Sequence, residues 1–105
     1  MAGDTAQVAT QFFAAARALA SHRGDLQERL ADAYADHLLT VTMQDLPPEL
    51  QPSFRELEER LNREVEGDDD PFQAAARSLS DDEARQLIDS ILLLYGRLAA
   101  ALHSG

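Results

Sequence analysis

Three carboxylates stand four residues apart in the stretch DLQERLADAYADHLL: Glu28, Asp32 and Asp36. On a helix this spacing stacks them in one row. A row of hard oxygen ligands facing a second acidic helix is the arrangement that holds Mg²⁺ or Mn²⁺. Here the row lies opposite the apolar stripe of its own segment. Water is then its natural partner, and a solvated face is the expected state.

A second carboxylate pair, Glu56 and Glu59, occurs in ELEE. Small all-α nucleotide pyrophosphohydrolases pair E-x-x-E with E-x-x-D elements, so an Mg/Mn-dependent enzyme of that kind is the alternative reading. The segment DDEARQLID supplies no E-x-x-D. Asp82 or Asp89 would have to complete the set. The acid run in EVEGDDD has the composition of a cation loop but not the alternating ligands and turn glycine of an EF-hand. It reads as a solvated linker.

His37 falls on an apolar stripe one turn after Tyr34. An imidazole there would serve as a base, as a metal or haem ligand, or as one contact of a small-ligand pocket with Tyr34. A neutral, hydrogen-bonded core histidine is the plainer expectation. His22 and His103 fall at helix ends, where the dipole favours them. No serine has a base beside it. There is no glycine-rich phosphate loop, no G-x-S-x-G and no H-E-x-x-H. No catalytic residue, metal site or cofactor is expected.

Composition narrows the field further. The chain has no cysteine, which removes disulfides, thiolate metal sites and thiol nucleophiles. All nine basic residues are arginine, which removes lysine Schiff bases and the phosphate-loop lysine. Nineteen acids give a net charge of −10. Such a chain repels phosphate backbones, so no nucleic-acid partner is expected; a basic protein would be favoured. No apolar run approaches the roughly 18 residues of a membrane span. MAGDTAQ lacks the basic start of a secretion signal. No membrane partner and a cytoplasmic location are expected. The exclusive use of arginine also fits a GC-rich bacterial gene.

The elements that must position these residues are helical throughout. Val8, Phe12, Ala15, Ala16 and Leu19 mark a helix over 4–21, capped by Asp4 or Thr5. Asp25 caps a second over 26–42, with the stripe Leu26, Leu30, Ala33, Tyr34, His37, Leu38 and Val41. The short connection predicts antiparallel neighbours. Asp45, Pro47 and Pro48 mark a turn. A third helix over 51–65 carries the narrow stripe Leu50, Phe54, Leu57, Leu61 and Val65, with Glu56–Arg60 and Glu59–Arg63 at supportive spacing. Gly67 stops it. Asp70-Pro71 starts a short helix over 71–78. Ser80 and Glu83 then form a capping box for a last helix over 81–102. The predicted fold is all-α: one domain, a bundle of four main helices plus a short one.

The last helix is greasier than one buried face requires. On a wheel of about 100° per residue, Ala84, Leu87, Ile88, Ile91, Leu94, Tyr95, Leu98, Ala101 and Leu102 share one half. Leu92 and Ala99 widen it. Leu93, Gly96 and Ala100 form a second, narrow strip on the far side. That strip reads either as one tolerated surface leucine beside two small residues, or as a contact with the third helix or a symmetric partner.

The elements DLPPEL followed by F..L, and LSDDEA followed by I..LY, resemble those of short uncharacterised bacterial all-helical proteins. The resemblance covers roughly residues 25–98 and implies no activity. The expected function is a non-enzymatic protein-interaction or regulatory helical module. It would act on a basic protein or on its own copy as a homodimer, through Leu93, Gly96 and Ala100.

Overall fold

Capping chemistry sets the helix starts. Asp25 Oδ1 accepts the Glu28 backbone N–H at 2.8 Å and opens α2, Leu26–Ala33. Ser80 and Glu83 form the reciprocal box: the Ser80 N–H donates to Glu83 Oε1 at 3.0 Å, and the Glu83 N–H to Ser80 Oγ at 3.1 Å. Two orphan donors are satisfied at once, and α5 runs from there over Asp81–Ser104. The other helices are α1, Thr5–Ser21; α3, Gln51–Leu61; and α4, Pro71–Arg77. The computed structural model describes residues 5–61 and 71–104. Asp4, Arg63, Val65, Gly67 and the acid run ending at Asp70 lie outside the described residues. Among those described, every regular element is helical and none is a strand. The protein is all-α.

The second helix departs from its expected course. It does not continue to residue 42. After Ala33 the chain widens into a π turn, Tyr34–Leu38, and leaves helix before Val41. Spacing gives the reason. Leu30, Tyr34 and Leu38 recur every four residues, and an α-helix would rotate each about 40° further from the core. The wider turn cancels that drift, and all three are buried. Thr40 is then held by the Gln11 side chain, whose Nε2 donates to Thr40 Oγ1 at 2.7 Å.

Prolines act as expected. Pro47 and Pro48 open a 3₁₀ turn, Pro48–Leu50, and Pro52 sits in the first turn of α3, where a missing N–H costs nothing. An earlier 3₁₀ turn, Met43–Asp45, is closed by the Thr42 hydroxyl on Asp45 Oδ2 at 2.8 Å.

One core joins all five helices. Phe12 of α1 meets Phe54 of α3 edge to face at 5.9 Å, a pairing worth about 0.5–1.5 kcal/mol beyond the area it buries. Leu57 and Leu61 complete the α3 stripe, and Ala75 and Ala76 let α4 approach closely. From α5 come Ala84, Leu87, Ile91, Leu94 and Leu98. Each fully buried Leu or Ile contributes about 1.5–3 kcal/mol. Polar links fix the start of α5: Gln27 donates to Leu79 O at 3.2 Å and to Asp81 Oδ1 at 2.9 Å. Arg60 reaches across to Glu83 at 3.0 Å. At 24 residues α5 is about 36 Å long, most of the 44 Å length of the molecule.

Candidate interaction surface

Three of the eleven residues on the expected core face of α5 are exposed. Leu92 and Leu102 keep 44% and 45% of their surface in solvent, and Ala101 is exposed as well. Among the described residues no helix covers that side. Leu93 is 57% exposed. It is therefore not covered by α3, and that expectation is corrected. Gly96 and Ala100 are exposed too, and a Cβ built on Gly96 meets nothing within 4 Å.

A larger apolar feature adjoins this strip. Leu92, Tyr95, Ala99 and Leu102 follow the spacing i, i+3, i+7, i+10, which lines them along one edge of α5. Ala6, Ala9 and Phe13 follow the same spacing on α1. Phe13 and Tyr95 meet at 5.7 Å between ring centroids. Seven residues before Phe13 and seven after Tyr95, Ala6 and Leu102 line the same hollow. Both helices thus travel the same distance from the ring pair in opposite chain directions, so α1 and α5 run antiparallel. The hollow holds about 520 Å³. The small Ala9 and Ala99 form its floor, and the bulky Phe13–Tyr95 pair closes one end. Phe13 is itself half exposed.

Charge sets this face apart. The sequence has no Asp or Glu between Thr5 and Gly24 and none after Asp89. The charged residues of α1 and of α5 beyond Asp89 are Arg17 and Arg97. Every acid except Asp4 falls between Asp25 and Asp89. The acids that open α5 lie about 30 Å along the helix from Leu102. A largely apolar face, whose nearest acids along the chain are Asp4 and Asp89, thus sits on a chain of net charge −10. Leu92, Tyr95, Ala99 and Leu102 escaped the sequence reading because helical periodicity assigns them to the core face of α5, and Phe13 because it falls off the α1 stripe. The gap in the acids was the available signal.

The other candidates fall into place separately. Tyr34 is buried in the core, and His37 is half-buried on the π turn. The hollow described above lies between α1 and α5, not beside them. The carboxylate row is broken: Glu28 and Asp36 are exposed, but Asp32, partly exposed, is engaged by neighbouring side chains. Its Oδ2 lies 2.6 Å from His22 Nε2, and its Oδ1 accepts from Gln73 Nε2 at 2.7 Å. The Gly24 backbone N–H donates to His22 Nδ1 at 2.8 Å. Nδ1 is thus an acceptor, and Nε2 carries the proton that faces Asp32. With both ring nitrogens engaged, this group clips α1, α2 and α4 together and offers no open base.

Glu56, Glu59, Asp82 and Asp89 are exposed on α3 and α5. Among the described residues no three His, Cys, Asp or Glu side chains gather as a metal site would need. Nor is any helix among them long and apolar enough to cross a membrane. Glu58 titrates above the usual carboxylate range because burial disfavours its charge, against a smaller opposing pull from Arg55.

No family model, no curated protein and no solved structure matches the chain.

Proposed function

We propose that the chain is a non-enzymatic protein-interaction module whose contact surface is the exposed apolar face of α5 and α1. One observation carries the reading. Phe13, Leu92, Leu93 and Leu102 each leave about half their surface in water, on two helices that carry no carboxylate between Thr5 and Gly24 or beyond Asp89. Single exposed leucines need no explanation, but a contiguous apolar patch does. The strip of Leu93, Gly96 and Ala100 forms its outer edge, and the groove above Ala9 and Ala99 forms its centre. Recognition at this face is by apolar fit; a basic partner would have to address the acidic elements elsewhere on the chain.

A photoreactive phenylalanine analogue placed at position 93, in bacterial cells producing the chain, tests this. The reading expects protein adducts from position 93 and none from the equally exposed position 56 on α3. Equal yields from both positions, or none from 93, would contradict it.

A further inference from the structure

Resting on that reading, we infer that the partner of this face is a second copy of the chain, docked two-fold, with each Phe13 seated in the other's hollow. The face carries a bump and a hole side by side. Phe13 stands half out of the surface against Tyr95, and the hollow begins at that same ring pair, over Ala9 and Ala99. A two-fold axis between bump and hole satisfies both copies with one fit, as an isologous interface requires. The paired α1 and α5 of each copy then form the layers of a four-helix bundle. The a/d-like spacing of Leu92, Tyr95, Ala99 and Leu102 is what such a seam needs.

Charge and area agree with this occupant. Two chains of net charge −10 repel through every acidic face. Through this one they meet with Arg17, Arg97 and Asp89 near the seam, a local balance far less acidic than that of the whole chain. Along the helix the acids opening α5 lie about 14 Å from Leu92 and about 30 Å from Leu102, roughly two to four Debye lengths of about 8 Å in physiological salt. A half-exposed Phe offers about 100 Å². Four such large side chains and the small residues between them give about 600 Å² per copy. The total of about 1,200 Å² is the lower end of specific interfaces.

Native mass spectrometry and sedimentation of the purified full chain, across a concentration series, test the pairing. Wild type should move from the 11.5 kDa chain mass to twice that value. Ala99→Phe keeps the face apolar but fills the hole. It should raise the dissociation constant about tenfold or more, as loss of a central anchor does. A surface that is merely greasy would associate as well or better with the larger ring at that position. Should Ala99→Phe fail to fold by circular dichroism, Phe13→Ser reads the same contact from the bump. A wild-type monomer at every concentration overturns the self-pairing, as does one that carries a small apolar adduct. Either leaves the module reading standing if position 93 still yields adducts in cells. A dimer that survives both substitutions overturns the reciprocal fit.

Discussion

Phe13 and Tyr95 stack at 5.7 Å and 45°, yet Phe13 keeps half of its surface in water. Intramolecular packing therefore uses one edge of that ring and leaves the other for a second surface. Along α5 the two environments alternate within one turn. Leu94 and Leu98 are buried, while Leu92, Leu93 and Leu102 stand out.

That contrast predicts opposite costs for the same chemical change. Leu98→Ala removes a fully buried side chain and should destabilise by about 2–5 kcal/mol. Leu92→Ala should stay within about 0.5 kcal/mol of wild type at concentrations where the chain is alone. Urea unfolding followed by circular dichroism measures both. Equal losses would mean that Leu92 belongs to the core.

Gly24 predicts a backbone-proximity effect. A Cβ there would come within 2.6 Å of Glu28 Oε2 and 2.7 Å of His22 Cε1. The Glu28 carboxylate is free to swing aside. The His22 ring is not, since Gly24 itself and Asp32 hold it. Gly24→Ala should cost about 1–3 kcal/mol in the same unfolding assay. His22→Ala should cancel most of that penalty by removing the obstructing ring. A penalty that persists in the double variant would place the strain elsewhere.

Glu83 predicts an acid-side loss of stability. The Ser80 backbone N–H first and its hydroxyl next hold the Glu83 carboxyl below its ordinary value; desolvation opposes them, and Arg60 adds a smaller downward pull. A depressed folded value means stability that is present above the unfolded carboxylate value of about 4.3. It is lost as pH falls through the lower folded value. Glu83→Gln should therefore be less stable than wild type at pH 7, and the gap should close in acid below that range. Ser80→Ala removes the cap itself and should cost about 1 kcal/mol. Melting curves from pH 3 to 7 decide both, and a Glu83→Gln gap independent of pH would contradict the first.

Local chemistry was legible in the sequence, and neighbourhoods were not. Asp25, Ser80 and Glu83 act on groups three residues away, so their caps could be read directly. The stripe of Val8, Phe12, Ala15 and Leu19 needs only the helical period, and so does that of Leu50, Phe54, Leu57 and Leu61. The period also identifies Leu92 and Leu102 as apolar, but it cannot say that no helix lies over them. The π turn at Tyr34–Leu38 follows from a four-residue spacing that an ordinary helix tolerates for one turn only. Asp32 looked like one member of a solvated row. Its partners His22 and Gln73 are ten and forty-one residues distant, and only the packed fold brings them together.

Leu93→Glu tests the central claim most directly, because a charge at the outer edge of the face should destroy contact and spare the fold. Two quantities are read on this one variant: its thermal unfolding, and the yield of protein adducts crosslinked in cells from position 102. The account predicts melting like that of wild type, within the shift that about 0.5 kcal/mol produces, and loss of the adducts. A variant that unfolds would show Leu93 to be part of the core. One that melts normally and still yields wild-type adducts would show that the face is not where this protein meets its partner.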